Sequence, residues 1–504
     1  MIHKLLTPAL GALLAVMIGG AHAGNAASMP EQMMDAMKGM VAHGMKPVFE
    51  MPAHMQSTTD KEFKYAPSYM TVTGDRELTE ADFEDPAMCA GCHPKQYQGW
   101  QGSMHSNAFV DPIFQKLWSK AEKATDGALM NHCGACHSPI GVLTGSIVHD
   151  KDNDKFTAGP IASKGVSCDV CHTITKTNFL DTATMEHGNA SFEIDPQGPG
   201  GAKRGPLEDA KSPYHKTEYS ELHTKADFCG NCHQIFHPEN GFPIERTYDE
   251  WKYSPYARAG IVCQDCHMNP VETAVRVAKE MKRPQDLEGE NLKGYAGLGA
   301  AQQRDVVHDH SFVGGNAVVT ELLGGGNSAH AAAARQRLQN AAEVGVSFEK
   351  RGDGLTDLRV EVTNTSAGHN LPTSLTDVRE IWVEVTITDD KGAVLFESGK
   401  LDSHGELDHD NVTIFNSVAR NGRGDVTHYP WEVTRFSRNT TIPPKGNAVS
   451  RYTFKAPEGA TQVTADVKLN YRSYGQHLAD VLLGAGTITI PVIEMEHETA
   501  SLSL

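Results

Sequence analysis

Residues 168–172 read Cys168-Asp-Val-Cys171-His172, and this pattern of two cysteines followed by a histidine decides the fold. It occurs four more times, as Cys89-Ala-Gly-Cys92-His93, Cys133-Gly-Ala-Cys136-His137, Cys229-Gly-Asn-Cys232-His233 and Cys263-Gln-Asp-Cys266-His267. The five copies use all ten cysteines of the 504-residue chain. C-x-x-C-H attaches haem c, because two thiols bond to the porphyrin and the adjacent histidine ligates the iron. The sequence therefore predicts five covalently bound haems c, with the five motif histidines as proximal ligands.

Zinc sites, redox dithiols and disulfides also use paired cysteines. A zinc ribbon combines C-x-x-C pairs two by two and needs no histidine after each pair. Redox dithiols occur singly in a thioredoxin-like context that this sequence lacks. Exported proteins with many cysteines commonly form disulfides, but disulfides do not require this spacing. The histidine after every pair favours haem over these alternatives.

The five motifs lie between Cys89 and His267, a span of 179 residues. That leaves about 36 residues per haem, too few for five separate small domains. The sequence therefore predicts short helices and loops wrapped around one contiguous haem stack, with irons close enough for electrons to pass between them.

The N-terminus predicts export. Residues 1–23 have a short polar start, an apolar stretch of 14 residues from Leu5 to Ile18, and a small-x-small cleavage site at Ala21-His22-Ala23. Fourteen residues are too few to span a bilayer as a helix, so we expect a cleaved signal peptide rather than an anchor. The mature chain is predicted to be periplasmic or extracellular without a transmembrane anchor.

The charge balance limits the classes of molecule that can be binding partners of this chain. Acidic residues number 63 against 45 basic ones, a formal net charge of −18. Nucleic acid requires a basic surface, so we exclude it as a partner. The expected partners are a redox protein donor and a redox protein acceptor, and a homo-oligomer or a membrane-complex subunit is left open.

Residues 24–85 form a methionine-rich N-terminal segment that also contains His43 and His54. Thioethers and imidazoles bind Cu(I), which is one interpretation. The other is an amphipathic stretch whose methionines rest on the haem region.

Each iron can take a second axial ligand, and the chain has more histidines than five irons require. Two imidazoles per iron favour a low reduction potential. His215 and His223 share one face if their segment is helical, whereas His308 and His310 alternate, so at most one points inward if extended. The candidate distal ligands are His105, His310, His223, His215 and His369.

His105 lies in the segment Trp100-Gln-Gly-Ser103-Met-His105, after the first motif. A related segment, Trp251-Lys-Tyr-Ser254-Pro-Tyr256, follows the fourth motif and has tyrosine in place of the histidine. Tyr256 either caps one iron differently or packs on a macrocycle.

Three of these stretches resemble a known family. The W-x-x-S-x-H segment, Gly165-Val-Ser followed by the third motif, and the fifth motif followed by Met268 look like multihaem cytochromes related to hydroxylamine oxidoreductase and its tetrahaem electron acceptor. The resemblance covers about residues 85–320. It implies stacked haem pairs, mostly bis-histidine irons, and room for one open, five-coordinate haem. Five sites differ from four and eight, and no C-x-x-C-K site is present, so no specific activity carries over.

In the last third of the chain, the spacing of apolar residues changes from the period of a helix to a period of two. The run Asn327–Glu343 predicts a helix, and beyond it apolar residues alternate with polar ones in three stretches, at 358–362, 381–387 and 463–471. Turns are predicted at Asp389–Gly392 and Ile442–Gly446. His369 lies in a loop, Ser366-Ala-Gly-His369-Asn-Leu-Pro372, and is either aimed at an iron or an ordinary surface histidine.

The predicted fold class is mixed: a mainly α-helical, loop-rich pentahaem domain at 86–345, then an all-β immunoglobulin-like sandwich at 346–504. The favoured function is an exported electron carrier. One alternative is an oxidoreductase acting on a small nitrogen or sulfur compound at one open haem. Another is a subunit of an extracellular cytochrome assembly.

Overall fold

The structure, a computed structural model, describes residues 63–178, 188–326 and 328–504. The predicted signal peptide at 1–23, the predicted segment 24–85 up to residue 62, and with it His43 and His54, lie outside the described residues. Within the described ranges, no helix is long and apolar enough to cross a membrane.

Short helices build the part of the chain that carries the motifs. Most have four to eight residues, and several begin with a proline after a capping aspartate, as at Asp85 and Asp111, whose side chains accept backbone N–H hydrogen bonds. The helices are α1 (Pro86–Cys89), α2 (Pro94–Trp100), α3 (Met104–Asn107), α4 (Pro112–Ala124), α5 (Met130–His137), α6 (Pro139–Thr144), α7 (Cys168–His172), α8 (Asp227–Gly230), α9 (Thr247–Lys252), α10 (Pro255–Arg258), α11 (Cys263–His267), α12 (Val271–Glu280), α13 (Ala317–Leu323) and α14 (Ala329–Leu338).

Several small sheets join these helices. One has the order β1-β5-β4, and the others are the pairs β2-β3, β6-β7 and β8-β9. The strands are β1 (Thr71–Val72), β2 (Val148–Asp150), β3 (Lys155–Thr157), β4 (Ile174–Thr177), β5 (Phe192–Ile194), β6 (Ala202–Gly205), β7 (Lys216–Tyr219), β8 (Ile235–Phe236) and β9 (Pro243–Glu245). The sequence did not predict them, because strands of two to four residues are too short for a period of two to be recognised.

Two local expectations differ from the structure. Residues 216–219 form β7, which pairs in parallel with β6, so His215 and His223 do not share a helix face. The helix predicted at 327–343 is α14, capped by Ser328, and it ends at Leu338. The chain then enters a strand at Ala342, because Ala342 and Val344 are buried and alternate with exposed neighbours.

The last third is predominantly β-structure. The strands are β10 (Ala342–Lys350), β11 (Thr356–Asn364), β12 (Glu380–Asp389), β13 (Val394–Ser398), β14 (Thr413–Phe415), β15 (Ser417–Arg420), β16 (Arg435–Asn439), β17 (Asn447–Phe454), β18 (Gln462–Arg472) and β19 (Ile493–Ser503), with helix α15 (Gln476–Leu483) before the last strand. One sheet has the order β10-β11-β17 and a second has β13-β12-β18-β19, with β14 also on β12. The three alternating stretches lie in β11, β12 and β18, as predicted, and both predicted turns join strands.

The two sheets bury one apolar core. It contains Val360 of β11, Val385 of β12 and Val467 of β18, all fully buried, as the period of two requires. Ala317 of α13 and Leu338 of α14 belong to the same core. The β-region and the last helices of the motif region therefore share their apolar core.

A buried ion pair lies at one end of the second sheet. Arg472 of β18 pairs with Glu380 of β12, and both side chains are almost fully buried. His409 Nε2 lies 2.9 Å from the same carboxylate. Although burial raises the pKa of Glu380, His409 and Arg472 together hold it below the ordinary value.

We predict that Arg472→Met lowers the free energy of unfolding by about 3–5 kcal/mol, because it leaves Glu380 buried without its cation. Urea denaturation followed by far-UV circular dichroism measures the change. The double variant Glu380→Met/Arg472→Met should recover most of the loss, because no unpaired charge remains. A double variant as unstable as Arg472→Met alone would contradict this account.

Candidate functional site

The helical region encloses a large cavity of about 1410 Å³, which exceeds the roughly 300–1,000 Å³ of ordinary ligand pockets. All five motif histidines and nine of the ten cysteines line it. The exception, Cys133, packs beside a buried aromatic cluster that contains Trp118. The five candidate distal ligands also line this cavity, so it brings together all ten histidines singled out from the sequence.

The motifs lie on single helical turns. Helices α5, α7 and α11 each contain a whole motif, while α1 ends at Cys89 and α8 contains Cys229. Residues three apart in a helix lie on the same face, so the two cysteines of a motif face one side. All ten cysteines have free thiols. One planar group can therefore bond to both sulfurs of a motif.

Thiols of different motifs touch each other. The thiol of Cys89 lies beside that of Cys168, and the thiol of Cys229 lies beside that of Cys263. Cys136 and Cys232 form a third such pair. These contacts join the first motif to the third, and both the second and the fifth to the fourth.

Four of the five motif histidines are anchored by a hydrogen bond through Nδ1. They place Nδ1 within 2.6–3.0 Å of a backbone carbonyl, as for His93 with Ala296 and His172 with Arg204. His233 differs, because its Nδ1 lies 3.6 Å from Oε1 of Glu245. An imidazole held through Nδ1–H presents its other nitrogen, Nε2, as a ligand.

Four motif histidines face a second histidine. With metal–nitrogen bonds of about 2 Å, two imidazoles on opposite sides of one ion have ring centres about 6.3 Å apart. Ring centres at nearly that separation occur in four pairs: His93–His215 at 6.4 Å, His172–His310 at 6.3 Å, His233–His105 at 6.2 Å and His267–His369 at 6.2 Å. The residues therefore fit bis-histidine haem at four positions.

Burial keeps several of these imidazoles neutral, which is the form that binds metal. It lowers the pKa of His105, His267 and His310 to about 3. It lowers the pKa of His137 to about 4.

His223 also lies beside His172, with ring centres 5.6 Å apart. Its Nε2, however, is 3.1 Å from the carbonyl oxygen of Cys171, and its ring packs on Phe228. A nitrogen that donates to a carbonyl is not free to ligate iron. The geometry therefore favours His310 over His223 opposite His172.

His137 has a different environment. Its ring stacks on Phe114 of α4, with centres 3.6 Å apart and planes 6° apart, and its Nδ1 lies 3.0 Å from the carbonyl oxygen of Ala108. Among the described residues, no second histidine ring contacts it at the spacing of the four pairs. The fifth position therefore lacks the histidine partner that the other four have.

The two tryptophan segments are structural copies. Trp100 and Trp251 each donate their indole N–H to the carbonyl two residues before a motif, at Val166 and Ile261. His105 of the first copy faces His233. Tyr256 of the second copy is buried and its hydroxyl is 3.3 Å from the carbonyl oxygen of Thr365. Of the two interpretations of Tyr256, the geometry favours packing.

The sequence analysis did not identify Glu245, Phe114 or the carbonyls that hold Nδ1. Every residue has a backbone carbonyl, so the sequence does not indicate which carbonyl binds Nδ1. Glu245 has no fixed spacing in sequence from the motif whose histidine it faces. Within the described ranges, no three His, Cys, Asp or Glu side chains converge as a zinc site requires. The donor set present is paired thiols with opposed imidazoles, which is that of haem c.

Comparisons with known proteins agree with this site. Residues 88–173 match the cytochrome c554 and c-prime family. A penta-heme cytochrome c552 from Thermochromatium tepidum has a similar structure, with a TM-score of 0.53 and 17% identity, over 84% of this chain and 100% of that one. These matches support a multihaem c-type cytochrome, and such a protein transfers electrons.

Other matches are far weaker. MtrC from Shewanella baltica has a TM-score of 0.16 at 14% identity, over 37% of this chain and 28% of that one. The ApaA protein from Bordetella pertussis has a TM-score of 0.14 at 9% identity, over 31% of this chain and 90% of that one. No curated protein matches the sequence significantly.

The contact between Glu245 and His233 generates a prediction. Burial alone would lower the pKa of His233, but the Glu245 carboxylate raises it to about 9. A carboxylate beside Nδ1–H makes the imidazole a stronger donor to ferric iron. Glu245→Gln should therefore raise one haem midpoint potential, by on the order of 60 mV for each 1.4 kcal/mol of electrostatic stabilisation that is lost with the carboxylate charge.

Spectroelectrochemical titration of the intact protein measures this shift. The matched control is Glu272→Gln, because the carboxylate of Glu272 accepts from Gln336 at an exposed position and faces no motif imidazole. A downward shift in Glu245→Gln, or equal shifts in both variants, would contradict the prediction.

Proposed function

We propose that the chain is an exported electron carrier holding five haems c, which relays electrons between a redox protein donor at the membrane side and a terminal acceptor protein. The observation that carries this proposal is the set of four opposed histidine pairs in one cavity with five C-x-x-C-H motifs. Two imidazoles on an iron favour low-potential electron transfer and leave no position for a substrate.

The ligands follow from the pairs. The proximal ligands would be His93, His137, His172, His233 and His267. The distal ligands would be His215 for the first motif, His310 for the third, His105 for the fourth and His369 for the fifth. His223 would serve as a packing residue beside His172, because its Nε2 is engaged by Cys171.

The contacts between motifs support a continuous path. Haems tethered at touching cysteines must lie close together, which applies to the first and third, the second and fourth, and the fourth and fifth. Val170 of the third motif and Cys232 of the fourth pack in the same apolar cluster, so these two motifs are also neighbours. The haem of the fourth motif would be the branch point.

We extend the proposal to the domain boundaries and to the cellular location. We infer a signal peptide at 1–23, a methionine-rich segment at 24–85, a pentahaem domain at 86–345, an immunoglobulin-like sandwich at 346–504, and a periplasmic or extracellular location. Two antiparallel sheets around one core support the sandwich, although β10 begins at Ala342, before the inferred boundary. The tryptophan segments and the opposed histidines support a relationship to the hydroxylamine oxidoreductase superfamily.

We predict five haems per matured chain, because each motif offers two thiols on one side of a helical turn and an anchored imidazole. Pyridine haemochrome analysis combined with intact mass measures the number. The double variant Cys168→Ser/Cys171→Ser should carry four, since only its own haem loses both thioether bonds. Fewer than five in the wild type would overturn the pentahaem proposal.

We predict that His310→Ala raises the high-spin share of ferric iron from about one-fifth to about two-fifths, because it uncaps the iron opposite His172. Low-temperature EPR of the intact protein reports this share. His223→Ala is the matched control, and it should leave the share unchanged. The reverse outcome, with His223→Ala creating the new high-spin iron, would exchange the roles of the two histidines.

A specific observation favours a second candidate function. His137 lacks a histidine partner among the described residues, so the haem of the second motif would keep an open axial position. An open iron binds small molecules, which corresponds to an oxidoreductase acting on a small nitrogen or sulfur compound. The two functions are compatible, because four capped haems would carry electrons to or from the fifth.

A further inference from the structure

Strands β15 and β16 form a separate two-stranded arm of the β-region. They pair with each other and belong to neither of the two large sheets. The arm, residues 417–439, has four arginines and only two acids, Asp425 and Glu432, in a chain whose formal net charge is −18. The arginines are Arg420, Arg423, Arg435 and Arg438. The arm is therefore a positively charged part of an acidic chain.

Two of these arginines face each other across the strands. Arg420 of β15 and Arg435 of β16 are register partners, and like charges placed directly opposite each other destabilise an antiparallel pair. Among the described residues, no carboxylate oxygen lies within 4.0 Å of either guanidinium, whereas Arg423 pairs with Asp425. Arg420 donates to the neutral hydroxyl of Ser437 at 2.9 Å. The repulsion within this arginine pair would be relieved by an anion from outside the chain.

The loop between the two strands adds aromatic side chains. Tyr429 and Trp431 are half-buried, with ring centres 4.9 Å apart and planes 17° apart. Pro430 between them restricts the backbone. Arginine, tyrosine and tryptophan are enriched at the energetic centres of protein–protein interfaces, whereas lysine is depleted there. The arm contains no lysine, so its composition is that of an interface.

The arm rests on the motif region. His237 Nε2 lies 2.9 Å from the carbonyl oxygen of Trp431. Phe242 meets Phe436 of β16 edge to face, with ring centres 5.0 Å apart. His237 and Phe242 both lie in the loop between β8 and β9, so these contacts fix the arm on that loop.

The loop between β8 and β9 is close to the fourth motif. Strand β8 begins two residues after His233, and β9 ends at Glu245, whose carboxylate faces Nδ1 of the same histidine. A partner bound to the arm would therefore be held beside the fourth motif, whose haem is the proposed branch point of the electron path.

We propose that the arm is the docking surface for an acidic redox protein, which exchanges electrons with the haem of the fourth motif. The inference rests on the proposed electron-carrier function. Carboxylates of the partner would pair with the facing guanidiniums of Arg420 and Arg435, while Tyr429 and Trp431 supply apolar contact. The rest of the chain repels an acidic partner, so the arm would also determine where that partner binds.

The test uses the intact ferric protein with a reduced plant-type ferredoxin, a small acidic protein, as the probe. One electron passes from the ferredoxin to a ferric haem, and stopped-flow absorbance records the reduction. We expect the second-order rate to fall as ionic strength rises, because salt screens the attraction to the arm. Repulsion by the net charge of −18 predicts the opposite dependence, so a rate that rises with salt would overturn the proposal.

Arg435→Gln should slow reduction by ferredoxin by about three- to tenfold at low ionic strength and leave the rate at high ionic strength unchanged. The matched control is Lys391→Gln, which removes one charge from an exposed turn at the end of β12 away from β14. The control should reduce at the wild-type rate. Equal slowing in both variants would indicate an effect of net charge and contradict the docking surface.

Folding stability separates docking from a structural role of the arginine pair. Removing one of two facing like charges should leave the free energy of unfolding of Arg435→Gln unchanged or raise it. Urea denaturation of the intact protein measures this. A clearly less stable variant would mean that the pair supports the fold, and the proposal would be wrong.

A small neutral reductant distinguishes this inference from the electron-carrier proposal. Reduced lumiflavin does not need the arm, so it should reduce Arg435→Gln and the wild type at the same rate. Haems that lumiflavin reduces and ferredoxin does not would overturn the docking surface and leave the carrier intact. Haems that neither reductant reduces would overturn the carrier itself.

An anionic membrane is the other surface that a cluster of arginines could meet. Sedimentation with vesicles of anionic phospholipid tests this, and we expect no binding that depends on Arg435. Vesicle binding that Arg435→Gln abolishes, together with an unchanged ferredoxin rate, would assign the arm to a membrane and overturn the proposal.

Discussion

The structure depends on how the five motif imidazoles are held. In four of the five, Nδ1 is hydrogen-bonded to a backbone carbonyl outside the motif, and these carbonyls come from distant segments, such as Ala296 for His93 and Val313 for His267, while Nδ1 of His233 faces the Glu245 carboxylate. An imidazole fixed in this way has one orientation and one free nitrogen. The chain from 86 to about 315 must therefore wrap around the motifs, because its backbone supplies the groups that aim the ligands.

This wrapping explains why the motif region has several apolar clusters rather than one core. Helices of four to eight residues cannot present a continuous apolar stripe, so their buried side chains form separate clusters, the largest of which extends from Tyr65 to Ile194. Flat macrocycles packed edge to edge would take the place that interdigitated side chains occupy elsewhere. The largest side-chain core lies instead between the two sheets of the β-region, and α13 and α14 join it.

Part of the fold and part of the candidate site could be predicted from the sequence. The motifs predict every proximal ligand, because the chemistry fixes their spacing locally. The alternation in β11, β12 and β18 located the sheets because each strand is long enough to show a period of two. The distal pairs could not be derived, since His93 and His215, or His172 and His310, meet only through tertiary structure. A shared face for His215 and His223 required a helix in their segment, whereas β6 provides a strand partner that local propensity does not reveal.

The β-region is more than a cover for the haem region. Its loop at 366–374 places His369 opposite His267, and the loop is held by acids of the motif region, because Glu250 binds Thr373 while Glu245 binds Ser374. Glu245 also faces Nδ1 of His233, so one carboxylate connects the loop to an imidazole of the fourth motif. A displacement of the loop would alter the ligand geometry at one haem and the electrostatics of another. With the haems held as proposed, the position of the sheets would be coupled to their reduction potentials, and the two regions would act as one redox unit.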